Sequence, residues 1–182
     1  MTDYFALLQL PRSAALDEAA LRESFHRLAS NLHPDVVSGD ANAFTELNGA
    51  FTTLRDPAKR LRHLLELELP EALAAPAAIP SEMSDLFPIV GQARAAVVAA
   101  AVRRTAATTA LSRALLAPAE KAARDLAADA LETIRALRAQ STKELDSIAS
   151  DFQRLPALHQ RFSFLGKWEA QLRGALLRLE IG

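Results

Sequence analysis

The stretch Asp17-Glu18-Ala19-Ala20-Leu21-Arg22-Glu23-Ser24-Phe25-His26-Arg27-Leu28-Ala29-Ser30-Asn31-Leu32-His33-Pro34-Asp35 decides the fold of the first third of the chain. Asp17 is a good N-cap, because its carboxylate can accept from the unpaired N–H groups of a first helical turn. Leu21, Phe25, Leu28 and Leu32 fall on one stripe, which predicts an amphipathic helix to about Asn31. Pro34 ends it, since proline disfavours helical geometry in the residue before it. Beyond Ser38-Gly39-Asp40, a second segment from about Ala41 to Arg55 places Phe44, Leu47, Phe51 and Leu54 on its own stripe. Two facing stripes joined by a loop predict an antiparallel helical hairpin with His33-Pro34-Asp35 at its tip. A short helix after Pro57, carrying Arg60, Leu61, Leu64 and Leu65, closes the base.

Working outward, residues 70–80 hold three prolines among alanines and form the best linker in the chain. Helical signals then resume. Ser84 is a candidate cap for a helix with Pro88 in its first turn, running to about Leu116 and weakest around Thr105, Thr108 and Thr109. Pro118 is a candidate opening for a second helix to about Phe152, with Leu126, Ala130, Ile134, Leu137, Leu145, Ile148 and Phe152 near heptad spacing. Pro156 opens a third, with Leu158, Phe162, Leu165, Leu172, Leu176 and Leu179 in the same rhythm. No segment has strand period. The expected fold is all-α, an N-terminal helical hairpin domain (1–69), a Pro/Ala-rich linker (70–83) and a C-terminal antiparallel three-helix bundle (84–182).

Half of the chain is apolar, aromatics make up 5%, and alanine and leucine dominate, a mixture that favours packed helices over sheet. The net charge is -1, and residues 1–66 hold seven basic and nine acidic side chains. That balance argues against nucleic acid or an anionic membrane as main partner. The absence of cysteine excludes disulfides, thiolate metal sites and cysteine nucleophiles, and fits a reducing compartment. The start, Met1-Thr2-Asp3-Tyr4-Phe5, lacks signal-peptide character, and the apolar run around Ala93 to Val102 is too short to span a bilayer, so a cytoplasmic protein is expected.

Signals for an enzyme are thin. His26, His33, His63 and His159 form no metal-ligand spacing, the six glycines are scattered rather than grouped in a phosphate loop, and no nucleophile elbow occurs. No cofactor or metal is expected. His33-Pro34-Asp35 has two readings, a plain helix stop and an exposed polar loop that engages a partner. Arg22 and His26 lead toward it along one face, with Arg27 further round; simple solvation is the alternative account of that face.

Tyr4-Phe5, Leu8, Leu10-Pro11, Leu21…Phe25…Leu28, His33-Pro34-Asp35, Leu47-Asn48-Gly49-Ala50-Phe51, Leu54-Arg55-Asp56-Pro57 and Arg60 together resemble the J-domain signature over residues 3 to about 66. Asp3-Tyr4-Phe5, the Leu54 to Arg60 segment and His63-Leu64-Leu65 resemble the HscB subfamily, and Arg161-Phe162-Ser163-Phe164-Leu165-Gly166-Lys167 is similar to its Arg-Phe-Leu-Asp-Lys segment. The resemblance implies a monomeric co-chaperone without chemistry of its own. It would stimulate the ATPase of a DnaK/HscA-type chaperone through His33, Pro34 and Asp35, with Arg22, His26 and Arg27 meeting an acidic chaperone surface. It also implies a client, the iron–sulfur scaffold protein IscU or a relative of it, bound by the bundle.

The client-binding part departs from the family pattern. Where HscB proteins carry a segment like Phe-Leu-Met-Glu-x-Met-Glu-Leu-Arg-Glu, this chain has Leu86-Phe87-Pro88-Ile89-Val90-Gly91-Gln92-Ala93-Arg94-Ala95, so Ile89, Gln92 and Ala95 stand at acidic positions. Leu86, Phe87, Gln92 and Phe164 are the candidate client contacts, with bundle core as the alternative for the apolar ones and for Trp168. A second reading is therefore a J-domain protein whose divergent bundle serves a different client. The cysteine pairs of some eukaryotic relatives are absent, and no zinc module is expected.

Overall fold

The computed structural model describes residues 2–32, 41–74, 79–148 and 151–181. Seven α-helices carry them: α1 (Tyr4–Leu7), α2 (Glu18–Leu32), α3 (Ala41–Arg55), α4 (Pro57–Glu68), α5 (Leu86–Ala106), α6 (Ala110–Ile148) and α7 (Leu155–Ile181), with short 3-10 turns at Pro70–Ala74, Ser81–Met83 and Phe152–Arg154. No strand occurs among the described residues. The fold is all-α, as expected. The chain divides into two compact units, Met1–Ala77 with Thr142–Gln160, and Ala78–Ser141 with Arg161–Gly182. This differs from a purely sequential division, because the end of α6 and the start of α7 fold with the first unit.

In the first unit α1, α2 and α4 each begin on an aspartate cap. Asp3 accepts from the N–H groups of Phe5 (3.0 Å) and Ala6 (3.2 Å), Asp17 from Ala19 (2.9 Å), and Asp56 from Lys59 (3.0 Å) with Pro57 opening α4. Helices α2 and α3 form an antiparallel hairpin. The rings of Phe25 and Phe51 stack at 4.4 Å, while Arg55 at the end of α3 lies 3.6 Å from Glu18 at the start of α2. Phe5, Leu8, Leu21, Leu47, Leu54, Leu61, Leu64 and Leu65 are buried in this unit, and residues 142–160 add the buried Leu145, Ile148, Leu155 and Leu158.

Among the described residues of this unit Ser24, Arg60 and His63 are buried polar side chains, and the last two are ionisable. Arg60 donates to the carbonyls of Ala14 (3.0 Å) and Leu54 (2.7 Å). Burial pulls its pKa below the ordinary arginine value, opposed by the charges of Asp56 and Asp146. His63 stacks on Tyr4 at 4.5 Å, and its Nε2 accepts from the Tyr4 N–H at 3.0 Å, so that nitrogen carries no proton. Burial lowers the His63 pKa despite Glu66, whose carboxylate lies 3.8 Å from Nδ1. His159 is also lowered, first by burial and then by Arg62.

The second unit is built on heptad spacing. Leu86, Val90, Ala93, Val97 and Ala100 of α5, Ala123, Ala127, Ala130 and Ile134 of α6, and Leu165, Trp168, Leu172, Ala175 and Leu179 of α7 share one core. Three expectations are corrected. The first bundle helix stops at Ala106 rather than Leu116, because Thr109 caps α6: its hydroxyl accepts from the Ser112 N–H (3.1 Å) while Ser112 Oγ accepts from the Thr109 N–H (3.1 Å). Pro118 consequently lies inside α6 instead of opening it. Leu126 is exposed, and the alanines hold the buried stripe that it was expected to share. At 21 residues, α5 is also long and apolar enough to cross a membrane by length and composition alone, contrary to the shorter run read from sequence. Its buried stripe makes it one wall of this core.

Replacing Arg60 by Met should lower the unfolding free energy by about 2–4 kcal/mol, because two buried carbonyls lose their donor; urea denaturation at neutral pH measures this. A depressed histidine pKa gives stability that is full above the unfolded value of about 6.5 and is lost as pH falls from there through the folded value. Urea midpoints should therefore drop as pH falls below about 6.5, and His63→Gln, which keeps an acceptor for the Tyr4 N–H, should flatten part of that drop.

Candidate functional site

The candidate chaperone-facing residues lie along α2. His33, Pro34 and Asp35 fall outside the described residues, in the segment that joins Leu32 of α2 to Ala41 of α3. Arg22 and His26 are exposed and one helical turn apart, so they share a face. Arg22 is ion-paired with Glu18, and Arg55 of α3 approaches the same carboxylate. His26 meets the edge of Phe25 with ring centroids 5.6 Å apart.

Arg27 is placed differently. Its guanidinium donates to the Gln9 side chain (2.8 Å) and to Ser24 Oγ (3.3 Å), while the Ser24 hydroxyl donates to the Leu8 carbonyl. Gln9 takes a positive φ of 54° to make the turn after α1. Arg27 thus ties α2 to that turn instead of joining the Arg22–His26 face. Arg55, which sequence reasoning passed over, does join it. The antiparallel register of the hairpin is the signal that could have found it, since it sets the end of α3 opposite the start of α2.

A network at the N-terminus joins the loop after α1 to the start of α1 and the end of α4. Arg12 bonds Asp3 (2.7 Å) and Glu68 (2.8 Å). Burial alone would raise the Asp3 pKa, but the hydrogen bonds from Arg12, Ala6 and Phe5 outweigh it and hold the carboxyl below its ordinary value.

The candidate client contacts in the second unit separate on inspection. Leu86 is 4% exposed and belongs to the core, which corrects its reading as a contact: it takes the first position of the buried α5 stripe. Phe87 is 55% exposed, and its ring lies 6.2 Å from that of Trp168. Phe164 is half-buried on the core, 5.7 Å from Trp168 on its own helix. Trp168 is buried, an anchor more than a contact. Gln92 is exposed but lies far round α5 from Phe87. A groove of about 520 Å³ opens between α5 and α7, lined in part by Phe87, Val90, Gly91, Arg94, Val98 and Trp168. Val98 was not singled out from sequence, because a valine among alanines gives no sign of which helical face is left uncovered. Among the described residues no group of three His, Asp or Glu side chains could hold a metal ion.

Known proteins resemble the chain in two ways. The DnaJ domain family model matches residues 3–63. A co-chaperone HscB homolog of Burkholderia multivorans is 42% identical over 72 residues, which are 35% of this chain and 41% of that protein. The chaperone protein DnaJ of Synechococcus elongatus is 41% identical over 64 residues, 34% of this chain and 22% of the relative. The matched stretch thus spans less than half of these relatives' own length. The fold as a whole is similar to the chaperone HscB from Vibrio cholerae, with a TM-score of 0.63 at 18% identity, covering 98% of this chain and 99% of that one. Human co-chaperone HscB gives 0.58 at 17% identity, with 95% and 81% covered. The chain thus carries a stretch, residues 3–63, that matches the DnaJ domain, within a fold that is similar along its length to that of HscB chaperones.

Proposed function

We propose that this protein is a non-enzymatic co-chaperone that stimulates the ATPase of a DnaK/HscA-type chaperone through His33, Pro34 and Asp35. The observation that carries the reading is the antiparallel α2–α3 hairpin, matched as a DnaJ domain, with that tripeptide in its connecting segment. Pro34 fixes its own φ, and Asp35 is a strong acceptor for cationic donors on a partner. Arg22 and His26, joined by Arg55, form the flanking face that would orient the encounter with an acidic chaperone surface. Arg27 acts one step back, holding α2 against the turn at Gln9. No step here breaks or makes a covalent bond in the co-chaperone, and the cysteine-free composition fits a cytoplasmic setting.

The second unit would present the client, with Phe87 as the central apolar contact and Phe164 and Gln92 at its margins. Relatives named as HscB co-chaperones make an iron–sulfur scaffold of the IscU type the first client to test. The alternative is a J-domain protein serving a different client. It is favoured by the groove between α5 and α7, whose lining includes Arg94 but, among the described residues, no carboxylate.

Steady-state ATP hydrolysis by a purified DnaK-family chaperone should rise when the protein is added, and His33→Gln should return it to the basal rate without changing the thermal midpoint. Unaltered stimulation by the variant would sink the loop mechanism. Titration calorimetry against the scaffold protein should show binding that Phe87→Ser weakens about tenfold or more, as expected for a central aromatic contact. No heat of binding with the parent protein would favour the other client.

A further inference from the structure

The groove between α5 and α7 has two joined compartments in the second unit. The first, about 520 Å³, is apolar and is walled by Phe87, Val90, Val98 and Trp168. The second, about 300 Å³, is lined by Arg94, Gln171, Gly174 and Arg178, with Ala170, Ala175 and Val98 completing it. Arg94, Val98 and Gln171 border both, so a single bound segment can occupy the two at once. Among the described residues neither lining contains an Asp or Glu. Among the described residues Arg94 and Arg178 take part in no ion pair, unlike Arg104 and Arg124 on Glu120 or Arg138 and Arg173 on Glu169. Two unpaired guanidiniums beside an apolar trough complement a chain with bulky apolar side chains and nearby carboxylates.

A second observation concerns the floor. Gly91 of α5 and Gly174 of α7 both line the groove, and a Cβ built on either meets nothing within 4 Å. A glycine inside a helix costs about 1 kcal/mol relative to alanine. Close packing between α5 and α7 does not account for these two, since no neighbour occupies the space. Gly49 of α3 is equally uncrowded, so the weight of the observation comes from position: two such glycines floor one groove. Their missing side chains leave room for an outside backbone or side chain to approach the helices closely.

We infer that the α5–α7 groove binds an acidic amphipathic protein segment, its apolar side chains seated against Phe87 and Val98 above the buried Trp168 and its carboxylates held by Arg94 and Arg178. The inference rests on the proposed reading of the second unit as the client-binding part and adds the charge of what it takes. The selected sign is the reverse of the one expected for a groove rimmed by acidic residues.

The chain has one tryptophan, Trp168, and it lines the apolar compartment, so its fluorescence reports occupancy directly. The probes are three synthetic helical peptides of one leucine pattern, differing only in carrying three Glu, three Gln or three Lys on the polar face, titrated into the full chain. The Glu peptide should bind at least about tenfold more tightly than the Gln peptide, and the Lys peptide more weakly still. The double variant Arg94→Glu/Arg178→Glu, altering two exposed residues, should invert that order. Gly91→Leu should abolish binding while leaving the thermal midpoint unchanged or raised, because it fills the trough and replaces a helical glycine. Equal or reversed preference in the parent protein, or full binding by Gly91→Leu, would overturn the inference. Scaffold calorimetry keeps the two readings apart. Glu preference without scaffold binding removes the iron–sulfur client and keeps the groove, whereas scaffold binding that is indifferent to Arg94→Glu/Arg178→Glu removes the groove's selectivity and keeps the client.

Discussion

The guanidinium of Arg60 is the interaction on which the first unit depends. A charge at 7% exposure is tolerable only if its donors are satisfied, and the carbonyls that satisfy them belong to separate parts of the chain. Ala14 lies in the loop before α2, and Leu54 ends α3. One side chain on α4 therefore sets the α1–α2 loop and the C-terminus of α3 against each other, and with them the two ends of the hairpin. The charges of Asp56 and Asp146 support the ionised form, so the first unit draws on the end of α6 as well as on its own first 77 residues. Asp56 is also the cap of α4, which ties the start of that helix to the charge buried one turn later.

The second unit relies on spacing rather than on any single bond. Its three helices keep a repeat near 3.5 residues, so the buried stripe stays facing its partners over five positions on α5 and five on α7. Alanine at positions 123, 127 and 130 lets α6 come close to its neighbours where larger side chains would hold it away. Glu120 sits near the α5–α6 connection at 6% exposure, held by Arg104 at 2.9 Å and Arg124 at 3.4 Å. A buried carboxylate between two arginines fixes register more than it adds stability. It also helps to explain how α6 tolerates Pro118: the residues two places on are anchored, and the exposed turn around the proline carries little packing to lose.

The hairpin was legible in sequence because every boundary had a local cause. Asp17, Asp56-Pro57 and the spacing of large apolar side chains each act within a few residues; α2 and α3 begin and end within a residue or two of where those signals put them, and α4 begins at Pro57. The second unit was harder because alanine favours helix without saying which face is buried. Leu126 looked like core by spacing and size, yet it is 42% exposed, whereas Ala127 beside it is fully buried. The Thr105 to Thr109 stretch was marked as the weak point of a longer helix. The reciprocal bonds of Thr109 and Ser112 make it a boundary instead. Leu86 and Phe87 show the same limit at single-residue scale: adjacent, both large and apolar, one 4% and the other 55% exposed. The expected division into sequential domains could not anticipate residues 142–160, because long-range packing of Leu145, Ile148, Leu155 and Leu158 leaves no local mark.

Charge is used differently at the two candidate surfaces. Around the hairpin most cations are already engaged: Arg22 with Glu18, Arg27 with Gln9 and Ser24, and Arg12 with Asp3 and Glu68. Exposed pairs of this kind add little stability, but they spend the field a partner would otherwise feel, leaving His26 as the distinctive feature of that face among the described residues. In the α5–α7 groove the order is reversed, with the arginines uncommitted and the apolar floor kept low by glycine. A surface whose charges are internally balanced selects by shape and by a few placed groups, whereas one with unspent charge selects by sign as well. On that physical ground the α5–α7 groove, with two arginines outside any ion pair, is the more sign-selective of the two surfaces.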